Sequence, residues 1–172
     1  MRLFLGVELS PENKEAIASM LFPLKKSEKG WENTHDLHLT LLFIGACPEG
    51  LVESIKERVH KIHVPSFAVK SSTFHFFNRR IMYLGFEHSP EMLELRKKIE
   101  VIYPEYVREH EKEFVPHVTV KRWQRHEHAD LVEGLEKSEQ QSLVVPVKEL
   151  CLFKSEKDSE NRKYHVIHRT RL

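Results

Sequence analysis

Two stretches of this 172-residue sequence share one pattern: HLTLLFIG at residues 38–45 and PHVTVKR at residues 116–122. In each stretch a histidine and a threonine alternate with large apolar residues, as His38 does with Thr40 and His117 with Thr119. Residues two apart on a β-strand point to the same face. Each stretch is therefore predicted to form a strand that presents one imidazole and one hydroxyl on one face and apolar side chains on the other.

The pair of motifs has two interpretations when the residues are taken alone. The chain has 12 histidines, and a Ser or Thr two places after a histidine also occurs at His168, which precedes a basic tail. His38 and His117 instead lie in apolar strands, where burying a polar side chain without a partner is costly. The residues leave open a paired chemical site and two structural histidines with satisfied hydrogen bonds.

Strand and helix patterns alternate around the two motifs without a linker. Apolar or alternating patterns predict strands at residues 2–9, 38–44, 66–77, 80–87, 114–121, 143–153 and 163–170. Three- and four-residue spacing and Ser-Pro-Glu starts predict helices at residues 11–25, 49–63, 89–103 and 128–137. Pro23 is expected to kink or end the first helix, and Asn78-Arg79 is typical of a tight hairpin turn. This mixed order predicts an α+β fold with largely antiparallel sheets.

Composition excludes several classes of protein. The 27 Lys and Arg against 26 Asp and Glu give a net charge of +1, which excludes a strongly basic nucleic-acid-binding coat. Cys47 and Cys151 form no Cys-x-x-Cys pair, which excludes a zinc ribbon and suits a reducing compartment. Glu8 comes too early for a signal peptide, and no apolar run of roughly 18 residues is present. We therefore expect a cytoplasmic protein without membrane contact.

The side chains of the two motifs indicate the chemistry. Two facing imidazoles can act as an acid and a base, because the ordinary pKa of histidine, about 6.5, lies near neutrality. Threonine hydroxyls can donate hydrogen bonds to phosphate oxygens. Since no acidic cluster accompanies either motif, we predict neither a metal nor a cofactor, which suits a phosphodiester substrate better than a polyphosphate.

These residues resemble the two-histidine (2H) phosphoesterase superfamily and, within it, the bacterial and archaeal RNA 2′,3′-cyclic phosphodiesterases, historically labelled 2′-5′ RNA ligases. The similarity rests on the two His-x-Thr-x motifs, 79 residues apart, and extends to the opening MRLFLGVELSPE at residues 1–12. The resemblance implies one bilobal domain over residues 1–172. Its two lobes would be related by a pseudo-twofold axis, each with a small antiparallel sheet and outer helices, and the active cleft would lie between them.

The resemblance also implies a role for each motif residue. His38 would donate a proton to the leaving ribose 3′ oxygen, and His117 would accept a proton from the attacking water. Thr40 and Thr119 would bind the phosphate. A basic residue that follows the second motif corresponds to Arg122, a further phosphate-binding candidate. On a regular strand Arg122 would point away from His117, so a bend near residue 121 is expected.

The implied enzyme is a hydrolase, an RNA 2′,3′-cyclic phosphodiesterase. It would act as a monomer on an RNA or oligonucleotide with a 2′,3′-cyclic phosphate end and leave a 2′-phosphate. Two alternatives would use the same site: 2′-5′ RNA ligation or cleavage, and cyclic phosphodiesterase action on an ADP-ribose nucleotide. An alternative of another class is a non-catalytic module that binds RNA ends.

Overall fold

A computed structural model describes residues 1–25, 29–107, 114–122, 128–136, 141–156 and 163–172. Its strands are β1 (Arg2–Glu8), β2 (His38–Ala46), β3 (Phe67–Phe77), β4 (Ile81–Phe86), β5 (His117–Arg122), β6 (Val144–Val147), β7 (Glu149–Ser155) and β8 (Tyr164–Arg171). Its helices are α1 (Pro11–Leu21), α2 (Val52–Val59), α3 (Pro90–Ile102) and α4 (His128–Glu136). The predicted α+β class is confirmed.

The eight strands form one antiparallel sheet in the order β6-β3-β4-β5-β2-β1-β7-β8. The two motif strands, β2 and β5, are neighbours at its centre, and Leu39 and Val118 form the pair that joins them. Four strands lie on each side of this junction. The sheet therefore brings the motifs together, while the division into two pseudo-twofold-related lobes stays a prediction.

Local signals at the helix starts and at the hairpin act as predicted. The hydroxyls of Ser10 and Ser89 each accept a hydrogen bond from a backbone N–H three residues on, at 3.2 Å, and so cap α1 and α3. A 3-10 turn that contains Pro23 follows the end of α1. Asn78 and Arg79 have φ angles of 49° and 54°, as the central residues of a type I′ hairpin turn do.

One predicted strand, residues 143–153, is wrong as a single element. The chain turns at Lys148, so that β6 pairs with β3 at one edge of the sheet while β7 pairs with β1 in the other half. An unbroken apolar run hides this change because both strands bury alternate residues. Pro146 is tolerated in β6 because an edge strand has no second neighbour to bond.

The two faces of the sheet differ in what covers them. The main core lies on the face with the helices, where the apolar residues of the motifs, Leu39 and Val118 among them, are fully buried with Ile17 of α1 and Leu95 of α3. The face that carries the motif histidines and threonines holds only a small cluster built on Phe4 and Phe153. Among the helices that the structure describes, none combines the length and apolar character that a bilayer crossing needs.

Candidate active site

All five residues that the sequence singled out line one cavity of about 260 Å³ over the junction of β2 and β5. They are His38 and Thr40 from β2, and His117, Thr119 and Arg122 from β5. The remaining lining residues are Phe4, Glu32, Asp36, Phe43, Phe77, Ile81 and Tyr164. The cavity thus collects the two imidazoles, two hydroxyls and a guanidinium predicted to act together.

Each imidazole is oriented by the backbone of its own strand. Nδ1 of His38 lies 2.6 Å from the carbonyl oxygen of Asp36, and Nδ1 of His117 lies 2.7 Å from that of Val115. A carbonyl only accepts, so each Nδ1 carries the hydrogen and donates it. In the neutral ring this leaves Nε2 as the unprotonated nitrogen. The repeated contact, two residues back in both strands, gives the two histidines the same tautomer.

Aromatic rings surround His38. Its ring centroid lies 4.7 Å from that of Phe4 and 4.6 Å from that of Tyr164, and Phe153 stacks on the far side of Phe4. Burial among these rings lowers the pKa of His38 to about 4, against the opposing effects of its hydrogen bond to Asp36 and of the nearby Glu32 carboxylate. His38 is therefore neutral in the empty cavity at pH 7.

His117 lies in a matching aromatic setting on the other side of the junction. Phe77 and Tyr83 stack on each other at 3.9 Å, and both meet the ring of His117 at about 5 Å with tilted or edge-on geometry. Burial also lowers the pKa of His117, and the charge of Arg122 acts in the same direction. Both imidazoles are thus held neutral by desolvation until an anion enters.

A β-bulge brings Arg122 to the face of the motif residues. Tyr83 pairs with Thr119 but Met82 pairs with Lys121, which leaves Val120 as an extra residue in β5. The insertion reverses the alternation, and Lys121 is buried while Arg122 is exposed to the cavity. This is the bend that the sequence required near residue 121.

The same bulge occurs at the same place in β2. Gly6 pairs with Thr40 but Leu5 pairs with Leu42, which leaves Leu41 as the extra residue. Phe43 consequently lies on the face of His38 and lines the cavity. Each motif therefore contributes three side chains to one face: histidine, threonine, and the residue five places after the histidine.

The carbonyl of each extra residue has a donor outside the regular ladder. The carbonyl of Leu41 accepts from the buried guanidinium of Arg96 on α3. The carbonyl of Val120 accepts from the backbone N–H of Glu32 at 2.9 Å. Since an unpaired buried carbonyl is costly, these contacts stabilise the bulges and with them the positions of Phe43 and Arg122.

The segment before β2 clamps the bulged end of β5. Arg122 N donates to the carbonyl of Gly30 at 2.8 Å, and Trp31 forms an isolated antiparallel bridge with Lys121. The ammonium of Lys121 lies 4.7 Å from the centre of the Trp31 ring. Gly30 has a φ of +82°, and a Cβ there would lie 2.2 Å from the carbonyl oxygen of Arg122. Only glycine satisfies both conditions.

Glu32 and Asp36 are site residues that the sequence analysis missed. The Glu32 side chain is 8% exposed, and its two oxygens lie 2.8 Å from Arg122 Nη1 and 2.8 Å from Lys163 Nζ. Asp36 is buried and accepts a hydrogen bond from Lys163 N at 2.9 Å. Both precede β2 in an irregular segment, where no periodicity reveals burial. Lys163 precedes β8, so Glu32 links the two halves of the sheet beside the cavity.

Two other features bear on metal binding and on the choice of cavity. Within the described ranges no three His, Cys, Asp or Glu side chains are grouped as metal ligands, and His126, half of a His-x-His pair, lies outside those ranges. A larger cavity of about 610 Å³ borders Glu8, Cys151 and Arg169. It contains neither motif histidine, so the smaller cavity, which holds an acid-base pair, is the candidate active site.

Comparison with known proteins agrees with this site. A sequence model of the 2′-5′ RNA ligase superfamily matches residues 11–159. An RNA 2′,3′-cyclic phosphodiesterase of Thermotoga maritima is 28% identical over 130 residues, which are 71% of this chain and 70% of that protein.

Two solved structures show the same fold. The protein TT0787 of Thermus thermophilus has a TM-score of 0.76 at 24% identity, with 100% of this chain and 98% of the other covered. LigT of E. coli in its apo form has a TM-score of 0.76 at 21% identity, with 99% and 96% covered. The resemblance indicated by the paired motifs is confirmed, and the chain belongs to the 2′-5′ RNA ligase superfamily.

Proposed function

We propose that this protein hydrolyses 2′,3′-cyclic phosphates at RNA ends to 2′-phosphates, with His38 as proton donor and His117 as proton acceptor. The observation that carries the proposal is the shared cavity in which both imidazoles have their Nδ1 atoms bonded to backbone carbonyls. This arrangement leaves Nε2 of each ring for proton transfer. The named activity of the Thermotoga maritima relative supports the choice of substrate.

The reaction balances with these two groups alone. A water oxygen attacks phosphorus while Nε2 of His117 takes the water proton. The bond between phosphorus and the ribose 3′ oxygen breaks, and Nε2–H of His38 gives its proton to that oxygen. The products are a 2′-phosphate and a free 3′-hydroxyl. Thr40, Thr119 and Arg122 donate hydrogen bonds to the two non-bridging oxygens.

Local charge supports the assignment of donor and acceptor. Burial lowers the pKa of both rings, but the carboxylates of Glu32 and Asp36 favour the protonated form of His38. The charged side chain that acts on His117 is the Arg122 cation, which favours its neutral form. An entering phosphodiester anion raises both pKa values. His38, which has acidic neighbours, is then the better acid, and His117 is the better base.

Turnover of a short RNA with a 2′,3′-cyclic phosphate end, measured with EDTA present, tests this proposal. We expect wild type to release only the 2′-phosphate, while His38→Ala and His117→Ala remain folded and lose turnover by about 10²–10⁴-fold. His88→Ala, a change at an exposed histidine outside the cavity, is the matched control. Loss of activity with EDTA would refute independence from metal.

Other outcomes separate the alternatives. Joining or cleavage of 2′-5′ linkages, or opening only of an ADP-ribose cyclic phosphate, would reassign the substrate but keep the two histidines. Tight binding of the RNA end by folded wild type without turnover would replace the enzyme with a binding module. A cytoplasmic location and a monomeric state belong to the same proposal, and sedimentation velocity tests the latter.

A further inference from the structure

The duplicated bulge gives the cavity two chemically different ends. In both motif strands the residue five places after the histidine faces the cavity, and these residues are Arg122 in β5 and Phe43 in β2. One is a cation suited to phosphate. The other is an aromatic ring, which has no role in proton transfer or phosphate binding. The site is therefore nearly symmetric in its histidines and threonines and asymmetric at this position.

Phe43 is unusually open for an apolar residue of a central strand. It is 49% exposed, whereas its neighbours Leu42 and Ile44 are buried. Its described ring contact is with Phe4, at 5.9 Å and an interplanar angle of 50°, so Phe4 does not cover its face. Phe77, the other phenylalanine at the cavity wall near β5, is already stacked on Tyr83. Phe43 thus offers an aromatic surface that a ligand can cover.

We propose that Phe43 stacks on the base of the nucleotide that carries the cyclic phosphate, and so makes the enzyme selective for nucleotides over cyclic phosphates without a base. This inference rests on the proposed function and names its substrate class. Thr40 and Phe43 lie three residues apart on β2, roughly 10 Å along an extended strand. A phosphate bound at the threonines therefore places the ribose and base toward Phe43. Stacking accepts every base because each has a π-face.

The test compares adenosine 2′,3′-cyclic phosphate with glycerol 1,2-cyclic phosphate, which has the same reacting group and no base. In Phe43→Ala the ratio of kcat/KM between the two substrates should fall by about 5- to 150-fold, the range expected for one lost base stack. The change should reside in KM for the nucleotide. Phe43→Trp should retain the ratio, and Phe43→Leu should lose it despite its apolar side chain.

Phe22→Ala is the matched control, because Phe22 is a phenylalanine 77% exposed that does not line the cavity. Equal losses on both substrates in Phe43→Ala, or an unchanged ratio in a folded protein, would overturn the proposal.

Failure of the proposed function itself is distinguishable. If wild type opens neither substrate, calorimetric titration with adenosine 2′-phosphate and with inorganic phosphate decides the role of Phe43. Weaker binding of the nucleotide alone in Phe43→Ala keeps the stacking contact, and equal binding by both proteins rejects it.

Discussion

The guanidinium of Arg96 donates a hydrogen bond to the carbonyl of Leu41, the extra residue in the bulge of β2. A residue of α3, behind the sheet, thereby stabilises a backbone irregularity that orients a side chain in front of it. The contact links the buried core to the geometry of the cavity. It also explains why a charged residue occupies the apolar face of a helix.

Arg96→Met should therefore destabilise the fold although it makes the core more apolar. The Leu41 carbonyl would lose its partner, at a cost of about 1–3 kcal/mol. Loss of the ion pair with the partly exposed Glu100 should add little. Urea unfolding measures the change, with Lys97→Met, at an exposed lysine of the same helix, as control. Equal midpoints for the two variants would contradict this role of Arg96.

Glu32→Gln keeps the shape of the side chain and removes its charge. Since the carboxylate raises the pKa of His38 against the effect of burial, the variant should titrate His38 at a lower pH, and imidazole NMR measures this directly. Arg122 and Lys163 would also lose their shared counter-ion, so we expect kcat/KM to fall by about tenfold, for roughly 1.4 kcal/mol. Glu57→Gln, at an exposed helix residue, should change neither quantity.

The lowered pKa of His38 also predicts loss of stability in acid. The unfolded chain binds a proton at this residue below about pH 6.5, whereas the folded chain does so only near pH 4. Unfolding is thus favoured progressively as the pH falls between these values. Thermal melts from pH 7 to pH 4 should show a smaller decline for His38→Gln than for wild type. A parallel decline in both proteins would place the acid sensitivity elsewhere.

Three glycine substitutions separate backbone strain from close approach. Gly45→Ala should cost about 1–2 kcal/mol, because Gly45 has a φ of +82° in open space. Gly30→Ala should cost more and also weaken substrate binding, because its Cβ would displace the Arg122 backbone. Gly50→Ala, with neither condition, should be near neutral. Chemical denaturation and KM together rank the three, and equal costs at Gly30 and Gly45 would refute the clamp.

The sequence predicted the parts of the site that follow from periodicity. Alternation placed His38 beside Thr40 and His117 beside Thr119 on one face, and the cavity contains all four. A bend was required for Arg122, but nothing in the sequence indicated that β2 bends at the same place. The pattern around Phe43 therefore predicts only an ordinary buried strand. Bulges depend on donors distant in sequence, such as Arg96 for Leu41, which local patterns do not reveal.

Burial of charge was the other feature that the sequence left out. Glu32 lies in an irregular segment, and its partners Arg122 and Lys163 are 90 and 131 residues away. The split of residues 143–153 escaped for a related reason. Val145 and Leu150 are both core residues, and hydrophobicity alone cannot tell which neighbouring strand each one joins.

The junction between β2 and β5 has a mechanical consequence. The described pairing there is Leu39 with Val118, whereas each motif strand forms an extended ladder with its other neighbour. Each histidine is thus rigid relative to its own half, and the width of the gap between the two rings is the softest dimension of the arrangement. The Glu32 carboxylate, gripped by Arg122 from one half and Lys163 from the other, acts as a tie-rod that sets this width.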